Sequence, residues 1–305
     1  MKTVRTVLGE ISPDKMGVTL PHEHIACYFE SFYRALESEY LDKEKLVEAA
    51  NFNLNEMKEK YSLKTLVDCT PINIGRDMDL LRTVSERTGV NIIASTGFYY
   101  TEECMLRNKS EEFFEEFLLR DIEKNRVGML KFAVENEKMS SLLERMLSAI
   151  CRVQKETNLP LTVHTNPGAG NSVQVCDFIL EKGVDPSAIT IGHLSDSGDV
   201  EFVCEVAKRG TFLGFDRIYK TPRDAFYQDK AREIATLCER GYEDKILLSH
   251  DGLSYSEFSS DSQIKDYQPY DPVFVRLIPE LKNSGVSDEL IEKFTVDNPM
   301  KVFDI

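Results

Sequence analysis

The sequence predicts an α/β fold, a closed (β/α)8 (TIM) barrel with a short N-terminal β-hairpin, formed by residues 1–305 as a single domain. The first observation is that eight short apolar, β-branched runs alternate with segments of helical periodicity. Such runs are typical of parallel strands covered by helices on both faces. The second is that eight such units in about 250 residues match the size of a barrel. The third is that no GxGxxG follows the first run, which disfavours an open dinucleotide-binding sheet.

The elements follow in order from the N-terminus. The opening segment VRTVLGEISPDKMG predicts a small hairpin, and DNPMKVF closes the chain. The eight runs predicted to be strands are residues 17–25, 65–70, 91–97, 127–133, 159–165, 188–194, 211–216 and 245–251.

Helical periodicity is clear in residues 41–61, 139–157 and 198–210. Asp42 and Ser140 stand near the starts of the first two helices and are predicted N-caps. Gly89 and Gly183 stand where helices should end.

Composition excludes several classes of function. The net charge of −15 repels polyanions, so nucleic acids and anionic membranes are not expected partners. No run of about 18 apolar residues is present, and the N-terminus has no secretory h-region. The seven cysteines are scattered without a CxxC pair, which indicates reduced thiols in a cytoplasmic protein and disfavours a cysteine zinc site.

The stretch VTLPHEHI places two of the five histidines, His22 and His24, one residue apart. Alternate residues of a strand share a face, so both imidazoles can converge on a metal ion. The alternative is a pair of loop histidines near a surface carboxylate such as Glu23. The other histidines, His164, His193 and His250, also end predicted strands. In barrels this face carries the chemistry, which favours a metal site.

Two further residues complete a candidate site. Asp251 ends the last strand, which in a closed barrel neighbours the first. Lys131 lies inside an apolar strand, where an ammonium without a partner is costly to bury; the alternative is a lysine that snorkels to the rim. A neutral lysine amine can be carbamylated by carbon dioxide, and the resulting anion can bridge two metal ions. His250 should point to the opposite face and either have a structural role or support the metal ligands from behind.

The motifs PHEH, GMLKF, TVHT, IGH and SHD, in this order and at these intervals, resemble the phosphotriesterase family of the amidohydrolase superfamily. The resemblance extends from about Thr19 to the terminal NPMKVF. It implies a (β/α)8 barrel, a binuclear metal centre, and hydrolysis of lactones or phosphotriesters by a bridging hydroxide.

The resemblance also assigns ligands. His22, His24 and Asp251 would hold the more buried metal, and Asp251 would take up the proton of the attacking hydroxide. His164 and His193 would hold the more exposed metal.

Carbamylated Lys131 would bridge the two ions. Some family members use a glutamate one position later, where this chain has Phe132. Zinc is the expected metal, with manganese, cobalt and iron as alternatives.

Lactonase members of the family often carry a tyrosine after strand three and an Asp-Arg pair after strand seven. Here TGFY supplies Tyr99, and GFDRIYK supplies Arg217. A phenol can orient a carbonyl and a guanidinium can bind the leaving oxygen, so both are candidate catalytic residues. The alternative for Tyr99 is an aromatic residue at the rim, with Tyr100 as the true match. The alternative for Arg217 is a surface salt bridge.

Departures from the family bear on the substrate. The chain has no tryptophan, so the aromatic wall after strand eight is missing. Lys220 and Arg223 follow strand seven, as basic residues do in relatives that act on phosphorylated sugar lactones. The arginine pair of those relatives is absent from DGLSYS, which leaves a phosphorylated substrate open. The possible replacements for the aromatic wall are Tyr255, Phe258, Lys265 and Tyr267.

The sequence thus predicts a binuclear metal-dependent lactonase that acts on a small-molecule substrate. The alternatives are a hydrolase of phosphotriesters or other carboxylic esters, and a metal-loaded binding protein without catalysis. The family resemblance suggests a homodimer.

Overall fold

The structure is a computed structural model that describes residues 2–258, 263–264 and 269–304. At the N-terminus, β1 (Val4–Thr6) pairs antiparallel with β2 (Gly9–Ile11), which confirms the predicted hairpin. The predictions for Lys265 and Tyr267 fall outside the described residues.

A curled parallel sheet forms the centre of the molecule, and each predicted apolar run contributes one of its strands. The strands lie in the order β10-β9-β8-β7-β6-β5-β4-β3-β11. Their bounds are β3 Val18–Cys27, β4 Leu63–Asp68, β5 Asn91–Phe98, β6 Met129–Ala133, β7 Leu161–His164, β8 Ile189–Gly192, β9 Phe212–Phe215, β10 Ile246–Leu248 and β11 Leu253–Ser256.

The eighth strand of the barrel is broken in two. Its first piece, β10, pairs with β9, and its second piece, β11, pairs with β3 at the other edge of the sheet. Within the break, the chain bonds to β3: the amide of Asp251 donates to the carbonyl of His22 (3.2 Å), and the carbonyl of Gly252 accepts the amide of His24 (2.9 Å). The two edges therefore meet, and the predicted barrel-like α/β fold is confirmed.

Helices surround the sheet and begin and end largely where the sequence predicts. Asp42 accepts a hydrogen bond from the Lys45 amide and Ser140 from the Leu143 amide, as expected of N-caps. Gly89 ends a helix in the left-handed conformation. The helices are α1 Glu30–Leu36, α2 Lys43–Tyr61, α3 Met78–Thr88, α4 Glu111–Asn125, α5 Ser141–Thr157, α6 Asn171–Glu181, α7 Val200–Ala207, α8 Asp224–Glu239, α9 Ile278–Asn283, α10 Asp288–Glu292 and α11 Asn298–Phe303.

The main core fills the space between the sheet and these helices. In α5, for example, Leu143, Met146, Leu147 and Ile150 recur at intervals of three and four residues and are all buried. Within the described ranges, no helix is both long and apolar enough to cross a membrane. That the whole chain is a single domain stays a prediction.

Candidate metal centre

Six side chains meet where the barrel strands end, and we call them the strand-end cluster. They come from β3, β6 and β7 and from the first residues after β8 and β10, so the parallel strands deliver them to one rim. The cluster consists of His22, His24, Lys131, His164, His193 and Asp251.

Asp251 lies at the centre of the cluster. Its Oδ1 is 3.1 Å from His24 Nε2 and 3.6 Å from His22 Nε2. Its Oδ2 is 4.0 Å from His193 Nε2. One ligand atom from each of His22, His193 and Asp251 lies within 4.8 Å of the others, a separation that a single ion can span. The predicted neighbourhood of Asp251 with the first strand is therefore present.

His164 joins the cluster through His193. The two rings meet edge to face, with His164 Nδ1 2.8 Å from His193 Nε2. The other nitrogen of His164, Nε2, lies 2.8 Å from Glu135 Oε2, which holds the ring in place. Imidazole nitrogens and a carboxylate are the donors that zinc and similar ions prefer, so the donor set fits divalent cations.

Lys131 is buried among the other cluster residues and does not reach solvent. Only 1% of the residue is exposed, and Nζ is 2.7 Å from His22 Nε2. The snorkelling alternative is therefore wrong. Among the described residues, no carboxylate lies within ion-pair distance of Nζ, so a protonated lysine here would be a buried cation without a direct ion pair. Gly97 faces Lys131 across the sheet, and a Cβ at Gly97 would lie 1.7 Å from the Lys131 carbonyl oxygen.

Asp216, which was not among the predicted site residues, orients His22 and His193 through their Nδ1 atoms. It follows β9 and is buried; Oδ2 lies 2.5 Å from His22 Nδ1, and Oδ1 lies 3.0 Å from His193 Nδ1. Oδ1 also accepts the His193 amide at 2.7 Å. A carboxylate on Nδ1 fixes the tautomer that presents Nε2 to a metal. A Cβ at Gly214 would lie 2.7 Å from Oδ2, so glycine makes room for this carboxylate.

Glu23 organises the break in the eighth strand. It is fully buried, so its reading as a surface carboxylate is wrong. Oε1 accepts the Ser249 hydroxyl at 2.8 Å and the His250 amide at 2.9 Å, and it lies 2.6 Å from His250 Nδ1. Oε2 accepts the Gly252 amide at 2.7 Å. All of these contacts flank Asp251, so Glu23 holds the segment that carries it.

His250 points away from the cluster, as predicted. Besides its contact with Glu23, its Nε2 accepts the Val273 amide at 3.0 Å. Both ring nitrogens therefore have partners outside the cluster, and the role of His250 is structural.

Two cluster residues have left-handed backbones. His193 has φ 66° and Asp251 has φ 52°. A side chain in this region costs free energy unless its surroundings impose the conformation. Asp216 bonds the His193 amide, and Glu23 bonds both neighbours of Asp251, so each strained residue is held by a buried carboxylate.

Burial sets the protonation of most of the cluster. Desolvation lowers the pKa of His22 and His164, and it lowers the pKa of His193 to about 3, which leaves neutral imidazoles suited to metal binding. Burial by itself also lowers the pKa of His24, but its contacts with Cys27 and Asp251 outweigh burial and raise that pKa to about 10. A cation bound by His24 must therefore displace a proton.

The two candidate catalytic residues outside the ligand set also border the cluster. The ring of Tyr99 is 5.5 Å from that of His164, and burial raises the pKa of Tyr99 well above its usual value, so the phenol remains a donor. Tyr100 lies 5.9 Å from the same ring, so both tyrosines are close. Arg217 donates from Nε to Asp251 Oδ2 at 3.1 Å and forms an ion pair with Asp196 at 2.8 Å.

The residues considered for substrate binding lie further out. Lys220 and Arg223 are exposed on the connection after β9. Tyr255 is buried and donates its hydroxyl to Glu257 Oε1 at 2.9 Å. Phe258 is exposed, with its ring 5.5 Å from that of Tyr99. The roles of the ligands and of the catalytic candidates stay predictions.

Comparisons with known proteins agree with this arrangement. The sequence pattern of the Phosphotriesterase family matches residues 2–303. The chain is 31% identical to the phosphotriesterase homology protein of Mycobacterium tuberculosis over 322 residues, which cover 100% of this chain and 98% of that protein. It is similar to the solved structure of the phosphotriesterase from Mycobacterium tuberculosis, with a TM-score of 0.89 and 31% identity over 99% of this chain and 98% of that one.

Two further relatives carry the names of hydrolases. The aryldialkylphosphatase of Saccharolobus solfataricus is 29% identical, with 96% of each chain covered. The N-acetyltaurine hydrolase of Mus musculus is 26% identical, with 97% of this chain and 96% of that protein covered.

Proposed function

The chain belongs to the phosphotriesterase family, and we propose that it is a binuclear metal-dependent hydrolase whose main substrates are γ- or δ-lactones. The observation that carries the proposal is the strand-end cluster. Four imidazoles, one carboxylate and a lysine without a direct ion pair among the described residues meet at the rim that carries the chemistry in α/β barrels.

We assign His22, His24 and Asp251 to one divalent ion, and His164 and His193 to the other. Bound there, the two ions would lower the pKa of a water molecule and polarise a substrate carbonyl. Asp216 and Glu135 keep the imidazoles in the orientation that presents ligand nitrogens to the cluster.

Lys131 connects the two sets of ligands after carbamylation. The ammonium would first lose one proton, and the neutral amine would then form an N–C bond with carbon dioxide and release a second proton, so that an anion with two oxygen donors replaces a cation. This assignment is supported by the burial of Nζ and by its position 2.7 Å from His22. An ammonium at this position would repel both ions at low dielectric.

Three side chains act on the substrate. The Tyr99 phenol, which stays protonated, donates a hydrogen bond to the carbonyl oxygen as negative charge develops there. Asp251 receives the proton of the attacking water at Oδ2, the oxygen that Arg217 also contacts, and passes it to the ring oxygen as the ring C–O bond breaks. Arg217 holds Asp251 through Nε and offers its charge to the leaving oxygen of the ring.

Hydrolysis of phosphotriesters is the second candidate, because the aryldialkylphosphatase relative matches the chain over 96% of its length. The same cluster would act on phosphorus instead of carbon. Weak turnover of paraoxon-like compounds is expected in either case, since the metal centre is shared.

The test is turnover of a panel of γ- and δ-lactones by protein loaded with zinc, manganese or cobalt. Ester and triester substrates are measured beside them, and metal solutions without protein serve as controls. We expect the highest kcat/KM for a lactone. No lactone turnover above the controls would refute the lactonase assignment, and a triester preferred over every lactone would favour the second candidate.

A further inference from the structure

His24 differs from the other imidazoles of the strand-end cluster in the partner of its second ring nitrogen. Each of the other three has a carboxylate, Asp216 or Glu135, on one ring nitrogen. In His24, Nε2 faces Asp251 at 3.1 Å, whereas Nδ1 lies 2.8 Å from the hydroxyl oxygen of Thr70. A carboxylate only accepts hydrogen bonds, but a hydroxyl can donate or accept, so this pairing by itself does not fix which atom carries the proton.

Asp68 determines the direction of this hydrogen bond. Its buried side chain accepts the Ile25 amide at Oδ2 (2.7 Å) and the Thr70 amide at Oδ1 (3.0 Å). A donor on each oxygen favours the ionised carboxylate. Burial raises the pKa of Asp68, and the Thr70 hydroxyl opposes that rise as a further hydrogen-bond donor. The hydroxyl proton therefore points to Asp68, and the oxygen of Thr70 is left to accept the Nδ1 proton of His24.

These groups lie in a fixed frame between β3, β4 and β5. Asp68 ends β4, and its bond to the Ile25 amide joins β4 to β3 near a shift in the register of the two strands. On the other side, the Ser95 hydroxyl of β5 donates to the Thr70 carbonyl at 3.1 Å. Because Thr70 and Ser95 are both buried, the Thr70 side chain has little freedom to turn away from His24.

Cys27 also approaches Nδ1 of His24. Its Sγ lies 3.7 Å from that nitrogen and 4.0 Å from the Thr70 hydroxyl oxygen. A thiol is a weak donor and a weak acceptor. The Thr70 oxygen, at 2.8 Å from the same nitrogen, is therefore the stronger of the two partners.

We propose that Asp68 and Thr70 together form a positioning pair for His24. Asp68 directs the Thr70 hydroxyl, whose oxygen accepts the proton of Nδ1, so that Nε2 is the nitrogen that binds an ion together with His22 and Asp251. A hydrogen-bond partner behind a metal-binding imidazole fixes the tautomer and the orientation of the ring. This inference rests on the proposed function for the presence of metal ions, but its tests do not need turnover.

The affinity test is a zinc titration of the full chain after chelator treatment, in competition with a chromogenic chelator. Thr70→Val keeps the shape of the side chain and removes the hydroxyl, so the affinity for at least one of the two ions should fall by about 10- to 100-fold. Thr70→Ser keeps the hydroxyl and should restore most of this affinity. Thr295→Val is the matched control and should bind zinc as the wild type does, because Thr295 is a buried threonine whose hydroxyl donates to the Ile291 carbonyl.

The tautomer test uses the zinc-loaded wild-type protein and does not depend on the folding of any variant. The chain has five histidines, so labelling them selectively with a heavy nitrogen isotope gives a small set of imidazole signals in nuclear magnetic resonance spectra. We expect His24 to carry its proton on Nδ1 and to bind zinc through Nε2. Thr70→Ser should show the same tautomer, and Thr70→Val should shift the Nδ1 signal of His24.

Several results would overturn the inference. A His24 ring that carries its proton on Nε2 in the zinc-loaded wild type would do so even if Thr70→Val does not fold. Unchanged zinc affinity in Thr70→Val would do the same, as would a loss in Thr70→Ser as large as in Thr70→Val. Cys27→Ala should not lower the affinity, and a fall in that variant with none in Thr70→Val would give the role to Cys27.

The proposed function can fail separately. Two bound zinc ions and the expected loss in Thr70→Val, without any lactone turnover by the wild type, would support this inference and count against the lactonase assignment. Lactone turnover by the wild type together with unchanged zinc affinity in Thr70→Val would leave the proposed function standing and overturn the positioning pair.

Discussion

Two neighbouring regions of the molecule, the strand-end cluster and a cavity of about 710 Å³ that we call the loop cavity, have opposite chemistry. The loop cavity is lined mostly by the connections after β3, β4 and β5 together with α4. In the cluster, the imidazoles are buried and oriented by Asp216, Glu135 and other fixed partners. In the loop cavity, the walls are apolar, and several aromatic side chains are open to solvent. Buried carboxylates thus hold the cluster side chains in one orientation, whereas the cavity wall depends on the conformation of the connections between strands and helices.

The largest effect is expected from the lysine of the cluster. Lys131→Ala removes the proposed bridge, so bound metal and hydrolysis should be lost together, and a short carboxylic acid such as formate should restore part of both. Metal content by plasma mass spectrometry and lactone turnover are the measurements. Lys230→Met is the matched control, because Lys230 is a second buried lysine, but it pairs with Glu233. Full metal content in Lys131→Ala would refute the bridge.

The second-largest effect is expected on metal affinity when Asp216 is changed. Asp216→Asn keeps the shape of the side chain but removes the charge that orients His22 and His193, so metal affinity should fall by about 10- to 100-fold. Competition with a chromogenic chelator measures this affinity. Asp196→Asn is the control, since Asp196 pairs with Arg217. Equal affinity in the two variants would show that Asp216 does not tune the ligands.

The break in the eighth strand provides the next comparison. Glu23→Gln leaves one of the groups around the carboxylate without a good acceptor, which should cost about 1–3 kcal/mol in the free energy of unfolding. Because the same bonds hold Asp251, metal affinity should fall as well. Urea denaturation and chelator competition are measured side by side, with the exposed Glu289→Gln as control. A loss of stability without any loss of metal affinity would separate Glu23 from the positioning of Asp251.

The smallest effect is expected at the boundary between the two regions. Tyr99→Phe removes the phenol hydroxyl and leaves the ring between His164 and Phe258. One neutral hydrogen bond corresponds to a decrease of about 2- to 12-fold in kcat. Tyr100→Phe is the matched variant. A decrease in Tyr100→Phe alone would transfer the role to Tyr100.

The sequence predicts the cluster better than the cavity, and the reason is physical. Buried parallel strands read as continuous apolar runs, and a histidine at the end of such a run is visible without a structure. For this reason His164 and His193 were predicted from the sequence. Asp216 carries the same signal, because it is a polar residue that ends the run TFLGFD. The sequence does not show, however, that its carboxylate contacts Nδ1 of both His22 and His193.

Glu23 was misread because its partners are remote in sequence. The groups that it bonds lie 226 to 229 residues away, in the break of the eighth strand. The loop cavity is harder still to foresee, because segments from several connections converge on it and none of them has a regular period. Periodicity predicts the elements of the barrel, whereas a pocket between connections requires their conformation.

The most direct test of the central claim is a metal titration of chelator-treated protein, with bound metal and lactone turnover measured at each addition. We expect wild-type protein to bind two divalent ions per chain and to gain turnover as the second ion binds. We expect Lys131→Ala to bind fewer ions and to gain none of this activity. Full turnover with a single ion per chain, or an unchanged titration in Lys131→Ala, would contradict a binuclear centre built on this lysine.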